Sequence, residues 1–345
     1  MKKKILVLAM LPVMLLSACG GGGGSDAAAP PIATNPTTPI VTNPTTPTVP
    51  PVLTSDLQTV VPAPTYAANA PELQIFEAYN SFRKTLGLGL LVQDARLDAT
   101  AQNSLKYQAL NPDVDRFAID PKSGRPWFHI QDPLRPGFTG VNELDRARHA
   151  QYPGSYVGEN GSFAYQSPRG AFDDLIATVY HRYGLMWQFP RDIGIAVGSD
   201  VDRTVIMEFG YQSKVQFNDR NYFSFYPGDQ QQGVGLAMRA EIPSPVPGLS
   251  LNEFSTRTSY PINVVAETNS VLLVSSFTVT EAGASTPLAV TLLTKANDPN
   301  KYLSGNAAFL FGNAPFKPGT TYRVAFVGTL NGVSLTKNWS FTTRS

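Results

Sequence analysis

The sequence predicts an α+β chain with two folded parts, the first mainly helical with a few short strands and the second all-β. The first part has apolar residues at helical spacing, and the second has short apolar runs separated by turn residues. A segment rich in glycine, proline and threonine precedes both parts. The hydrophobic content of 42% over 345 residues is enough for two packed cores.

The amino terminus has the layout of a secretory signal. Three lysines at positions 2–4 precede an apolar run over residues 5–16, which only Pro12 interrupts. This run is too short to cross a bilayer, because a membrane-spanning helix takes about 20 apolar residues. The segment is therefore predicted to direct export.

Residues 16–19, with the sequence Leu-Ser-Ala-Cys, resemble the bacterial lipobox. The resemblance implies that signal peptide 1–18 is removed and that Cys19 carries diacylglycerol and anchors the chain to a membrane. Cys19 is the only cysteine, so it has no partner for a disulfide within the chain. The alternative is an ordinary secretory signal that contains a cysteine by chance. Gly20, in place of the aspartate usual in inner-membrane lipoproteins, favours the outer membrane of a Gram-negative bacterium.

Residues 19–70 are predicted to be a linker. A hexad, Thr-Asn-Pro-Thr-Thr-Pro, occurs at 34–39 and again at 42–47. Such a segment has too little apolar surface to offset the entropy lost on ordering, and its prolines favour an extended chain. We expect a tether that holds the folded parts away from the lipid surface.

The first folded domain is predicted to span residues 71–213. Helices are expected over 72–86, from an Asp94 N-cap to about Leu110, and from a Ser167 N-cap towards His181. Short strands are expected at 193–197 and 204–209. Residues 111–165, rich in proline, glycine and aromatic residues, are interpreted as long ordered loops with short elements.

The chain has three histidines, and two of them lie in informative contexts. His129 follows Trp-Phe, Glu159 lies in Gly-Glu-Asn, and His181 precedes Arg182. Two histidines and one glutamate suit an open catalytic zinc site. Structural alternatives remain: packing of His129 among aromatic residues, bracing of a loop by Glu159, and interaction of His181 with a helix dipole. His149 has no motif and is predicted to lie at the surface, and Arg182 is expected to pair with a carboxylate.

These motifs resemble, in order and spacing, the CAP superfamily of cysteine-rich secretory, antigen 5 and pathogenesis-related 1 proteins. The matching features are Asn80 with Arg83, then His129, Gly158-Glu159-Asn160, His181-Arg182 and the Ile-Gly-Ile-Ala-Val-Gly run at 193–198. The resemblance implies an α-β-α sandwich over 71–213 (SCP-like) and places His129, Glu159 and His181 on three of the family's four cleft positions. Many members have a glutamate at the fourth position, between the Gly-Glu-Asn motif and the last histidine, where this chain offers only Asp173 and Asp174.

The second folded domain is predicted to span residues 222–345. Apolar runs separated by turns and without helical periodicity indicate a β-sandwich. Its last two runs, 321–327 and 333–343, resemble the closing hairpin of bacterial Ig-like domains. Trp339 is predicted to be a core residue.

Three functions remain open. The first is a membrane-anchored CAP protein that binds a lipid, peptide or glycan in the cleft, and the missing fourth residue favours it over catalysis. The second is a metal-dependent hydrolase of peptides or cell-wall material, with Zn²⁺ or another divalent metal on His129, Glu159 and His181. The third is an adhesin-like structural protein. The near-neutral charge of +1 gives no support for nucleic-acid binding.

Overall fold

The computed structural model describes residues 55–163, 167–199 and 203–345, together with the backbone of residues 7–8. Cys19, the predicted cleavage site and the repeated hexad lie outside the described residues. No helix within the described ranges is long and apolar enough to cross a bilayer.

Helices and strands alternate irregularly, which confirms the α+β class. Asp94 caps the second helix by accepting a hydrogen bond from the backbone of Arg96, and Ser167 caps the fourth through Gly170, as the sequence predicts. The helices are α1 Pro71–Thr85, α2 Ala95–Leu110, α3 Glu143–His149, α4 Pro168–Ile176, α5 Tyr180–Leu185 and α6 Phe254–Arg257, with a 3₁₀ turn at Trp127–His129.

The first part is built on one mixed sheet. Its strands are β1 Val7–Leu8, β2 Val92–Gln93, β3 Tyr156–Phe163, β4 Asp192–Val197, β5 Thr204–Tyr211 and β8 Glu241–Ile242, in the order β2-β4-β5-β3-β1-β8. The predicted strands at 193–197 and 204–209 are present. β3 and α3 instead lie within the region interpreted as loops, and they carry much of the site described below.

Gly194 on β4 allows helix α2 to lie directly against the sheet. A Cβ atom at this position would be 2.0 Å from the carbonyl carbon of Leu97 and 2.1 Å from the amide nitrogen of Asp98. Both are backbone atoms of α2, so no rotamer change can relieve the overlap. The close packing of α2 on β4 therefore requires glycine.

Gly194→Ala is expected to lower the free energy of unfolding by about 2–3 kcal/mol, because helix and sheet must separate to admit the methyl group. Chemical denaturation followed by circular dichroism measures the change. Gly305→Ala is the matched control, since its new Cβ would contact only the flexible Lys295 side chain at 4.0 Å. Equal stabilities for the two variants would contradict this packing.

The second part consists of two four-stranded sheets. The strands are β6 Phe223–Tyr226, β7 Gln231–Val234, β9 Ile262–Ala266, β10 Leu272–Glu281, β11 Val290–Thr294, β12 Ala307–Gly312, β13 Thr321–Leu330 and β14 Val333–Thr343. The sheet orders are β10-β13-β14-β7 and β11-β12-β9-β6. Aromatic pairs join the two sheets: Phe225 lies 4.5 Å from Trp339, and Phe223 lies 5.4 Å from Phe326, between ring centroids. Trp339 is buried, as predicted.

The closing hairpin forms where the sequence predicts it. Asn331 and Gly332 both adopt positive φ, 52° and 82°, and join β13 to β14. An Asn-Gly pair in this conformation suits the twist of two antiparallel strands. Assignment of these sheets to the Ig-like class stays a prediction.

The two parts share a single apolar core that extends from Ile75 on α1 to Phe341 on β14. Arg182 on α5 contributes to the contact between them. It donates to the carbonyls of Ile176 and Pro261, and its guanidinium lies 4.9 Å and 4.7 Å from the ring centroids of Tyr226 and Tyr260. Its partners are therefore carbonyls and aromatic rings, where the sequence had suggested a carboxylate.

The end of the predicted linker is docked on the first part. The Gln58 side-chain amide donates to the carbonyls of Leu90 and Arg191 at 2.9 Å each. The Asp56 carboxylate pairs with Arg191 at 2.7 Å and with Lys214 at 2.9 Å. Polar side chains at 56 and 58 thus find partners on the folded surface, and the domain bounds stay a prediction.

Candidate functional site

Three buried side chains form the centre of the candidate site. His129 ends the 3₁₀ turn, Glu159 lies in the middle of β3, and Arg146 lies on α3. His129 Nδ1 donates to Glu159 Oε1 at 2.6 Å, and Arg146 donates to Glu159 Oε2 at 2.7 Å. Arg146 also donates to the backbone carbonyl of His129 at 2.9 Å. The arginine therefore fixes the histidine and the glutamate relative to each other.

A second glutamate lies beside Glu159. Glu208 is its cross-strand neighbour on β5, and a Glu208 oxygen lies 3.7 Å from the Arg146 guanidinium. Burial, followed by the charge of Glu159, raises the pKa of Glu208 well above its usual value. Burial also acts to raise the pKa of Glu159, but Arg146 and His129 outweigh it and lower that pKa to about 2. The pKa values of these two close carboxyl groups are thus shifted in opposite directions.

A second ion pair borders this centre. Arg125 donates two hydrogen bonds to the carboxylate of Glu143, which begins α3. Burial acts to raise the pKa of Glu143, but the charges of Arg125 and Arg146 lower it overall. The guanidinium groups of Arg125 and Arg146 balance the charges of the Glu143 and Glu159 carboxylates, so these two ion pairs need no further cation.

The network brings potential metal ligands together. One atom from each of His129, Glu143 and Glu159 lies within 4.8 Å of the others, and no other such group occurs among the described residues. Both carboxylates of this group are already bonded to arginines. A metal ion bound through them would have to displace or reorient a guanidinium.

His181 lies in a separate set of contacts. Its Nδ1 is 3.0 Å from Glu241 Oε2, and the backbone N–H groups of Val179, Tyr180 and His181 also donate to this carboxyl. Burial, followed by the charge of His129, lowers the pKa of His181 well below its usual value. His181 is therefore neutral at physiological pH.

The structure brings His129 and Glu159 together, whereas His181 is not part of their ligand group. It remains electrostatically coupled to His129. Joint binding of one metal by these three residues stays a prediction.

The two aspartates considered for the fourth cleft position point elsewhere. Asp173 pairs with Arg169 at 2.9 Å near the surface, and Asp174 pairs with Arg239 at 2.6 Å. Besides Glu159, the carboxyl groups near the two histidines are those of Glu143 and Glu241, and Glu208 lies beside Glu159; the sequence analysis singled out none of these three.

Both site histidines have one ring nitrogen without a partner. Nε2 of His129 and Nε2 of His181 are buried, and neither atom forms a hydrogen bond with any described residue. In each histidine, the other ring nitrogen contacts a glutamate. Histidines that bind metals commonly have this arrangement, because the carboxylate orients the ring and increases its basicity.

Asn80 and Arg83, which belong to the motif at the start of the first helix, have structural contacts. The Asn80 side chain accepts from the Leu91 backbone N–H at 2.8 Å and donates to the Leu91 carbonyl at 3.0 Å. Arg83 donates to the carbonyls of Gly89 and Trp187 at 2.6 Å and 2.8 Å. Both side chains brace the loop after α1. His149 is exposed, as predicted.

A cavity of about 720 Å³ is lined by the 3₁₀ turn that carries His129, although not by the network residues themselves. Trp127, two residues before His129, forms part of its wall, as do the carboxyl-terminal half of α2 and residues flanking the β4–β5 connection. Other lining residues are Gln102, Asn103, Lys106, Gln108, Arg116 and Thr204. Its size lies within the range of small-molecule sites, about 300–1,000 Å³.

Comparisons with solved structures give eleven remote matches, among them an SCP-domain protein and an outer surface protein. No family model and no curated protein matches the sequence. An extracellular protein containing an SCP domain from Bacillus anthracis aligns at 20% identity and a TM-score of 0.32, over 42% of this chain and 41% of that one. An outer surface protein of Borrelia burgdorferi aligns at 13% identity and a TM-score of 0.33, over 43% of this chain and 97% of that one. The chain thus spans about two fifths of the first of these structures.

Proposed function

We propose that this chain is an exported bacterial lipoprotein whose CAP-like part binds a ligand at the cell envelope without catalysis. The observation that carries the proposal is the state of Glu159. Its carboxylate is buried, is bonded to both Arg146 and His129, and has a pKa of about 2. A general base is most effective with a pKa near the working pH, so Glu159 serves as a counter-ion to Arg146.

The adjacent cavity supports the binding role. It offers a half-buried tryptophan and several side-chain amides, which are groups that bind and orient a ligand. The buried His/Glu network fixes the 3₁₀ turn that carries Trp127, and so shapes the cavity wall.

Mass spectrometry of the full chain, purified under native conditions from a bacterial host, tests the binding function. We expect a co-purifying small molecule that is released on denaturation. A protein that is free of such a molecule and binds none from an envelope extract would contradict the proposal.

The signal and lipobox-like residues support the anchoring part of the proposal, with the outer membrane as the destination. In a Gram-negative host, the full chain is expected to incorporate radiolabelled palmitate and to fractionate with the outer membrane. Cys19→Ser is expected to abolish both. Equal labelling of this variant would show that Cys19 is not the lipidation site.

One observation favours a second function, metal-dependent hydrolysis. The free Nε2 atoms of His129 and His181, each on a ring oriented by a glutamate, fit a divalent metal such as zinc. A bound metal would supply Lewis-acid chemistry, and the two imidazoles would hold it.

If the metal function is correct, the purified chain will contain about one zinc per molecule, and His129→Ala combined with His181→Ala will lose it. Elemental analysis after dialysis measures the content. His149→Ala is the matched control, because His149 is exposed and outside the site. Equal zinc content in the double variant and the control would exclude this function.

A further inference from the structure

The cavity beside Trp127 has a distinctive chemistry. Its described lining combines two aromatic residues, Trp127 and Tyr107, with side-chain amides and hydroxyl groups, including Gln102, Asn103, Gln108 and Thr204. An amide both donates and accepts hydrogen bonds, which matches the hydroxyl groups of a sugar. An aromatic face can pack against the apolar side of a sugar ring while the ring's hydroxyl groups reach the amides.

The amide of Gln108 is oriented and incompletely bonded. Arg116 donates to Gln108 Oε1 at 3.4 Å and to the Thr204 hydroxyl at 3.1 Å, and its guanidinium lies 4.9 Å from the ring centroid of Phe163. Gln108 Nε2 is buried and has no hydrogen-bond partner among the described residues. A buried donor of this kind is normally satisfied, so it marks a position where a ligand oxygen would be bound.

We propose that this cavity binds a saccharide. Trp127 would stack on one sugar ring, and Gln102, Asn103 and Gln108 would bond its hydroxyl or acetamido groups. This inference rests on the proposed binding function and names its ligand class. It places the ligand in the cavity at the end of α2, whose lining contains none of the residues of the His/Glu network.

The probe is chitotetraose, a neutral oligosaccharide of four N-acetylglucosamine units, titrated into the full chain and followed by tryptophan fluorescence and calorimetry. We expect saturable binding. Gln102→Ala combined with Asn103→Ala should weaken it by about tenfold, since the loss of two hydrogen bonds is worth roughly 1–2 kcal/mol. Trp127→Phe, which retains a smaller ring, should weaken binding and remove most of the fluorescence change.

Gln74→Ala is the control, because Gln74 is an exposed amide on α1 that does not line the cavity. If neither chitotetraose nor an acidic oligosaccharide, a hyaluronan tetrasaccharide, binds to the chain, the saccharide assignment is wrong. Equal binding by the double variant and the control would overturn the location. A co-purifying ligand that is not a saccharide would also reject this inference, while leaving the proposed binding function supported.

Discussion

Arg146→Leu is expected to lower the free energy of unfolding by about 3–5 kcal/mol. Arg146 is buried and donates to Glu159 and to the carbonyl of His129. Leucine would fill much of the space but would leave the Glu159 carboxylate buried without its principal counter-charge. Removing one partner of a buried ion pair costs this much, because the remaining charge cannot regain its hydration.

Arg148→Leu provides the matched control on the same helix. Arg148 is exposed and lies 3.9 Å from Asp145, so its loss should change stability by less than about 0.5 kcal/mol. Urea denaturation measures the free energy of unfolding of both variants, and so distinguishes the loss of a buried arginine from the loss of an exposed one. If the Arg146 and Arg148 variants were equally stable, the buried network would not brace the fold.

Glu159 also predicts how the protein responds to acid. Because its folded-state pKa of about 2 lies below the ordinary glutamate value, the stabilisation it provides is present above about pH 4.5 and is lost as the pH falls towards 2. The Arg146→Leu variant should lose most of this acid dependence, since Arg146 is the main charge that lowers the pKa of Glu159.

The sequence predicts the elements whose determinants are local. The Asp94 and Ser167 caps and the apolar face of α1 act within a few residues and form as predicted, and the predicted closing hairpin turns at Asn331-Gly332. Strand β3 was missed because Gly158, Asn160 and Gly161 give it a composition typical of loops. Its pairing with β5 along the whole length overrides that local preference.

The candidate site could be predicted only in part, because its partners come from distant segments. Short motifs identify His129, Glu159 and His181. Glu208 has one local signal, as a charged residue in the otherwise apolar strand β5. Glu241 has none, since it lies 60 residues beyond His181 and outside the predicted first domain. Only the addition of β8 to the first sheet brings it to α5.

Glu241→Ala is expected to destabilise the chain by about 3–5 kcal/mol. The Glu241 carboxyl accepts hydrogen bonds from the backbone of Val179, Tyr180 and His181 and contacts His181 Nδ1. Alanine would leave several buried donors without an acceptor, and each such group costs about 1–3 kcal/mol, partly offset if water enters. Glu77→Ala is the control, because Glu77 is an exposed glutamate on α1.

The protonation of Glu241 gives this prediction a second readout. Burial raises its pKa to about 8, although the backbone donors partly oppose the shift. A carboxyl group whose pKa is raised on folding stabilises the protein fully below its unfolded pKa of about 4.5, and this stabilisation declines as the pH rises towards 8. Between pH 6.5 and 8, stability should fall by about 1–2 kcal/mol, since His181, which is only about half protonated in the unfolded chain at pH 6.5, offsets a few tenths of a kcal/mol of this decline.

Glu241→Gln distinguishes the charge of this group from its hydrogen bonds. Glutamine retains one acceptor oxygen and cannot ionise, so this variant should be more stable than Glu241→Ala and should lack the decline between pH 6.5 and 8. Thermal unfolding at several pH values measures both properties. If the decline persisted in the glutamine variant, another group would be responsible for it. If it were absent from the unmodified protein, the backbone N–H groups at the start of α5 would be sufficient to hold Glu241 as a carboxylate.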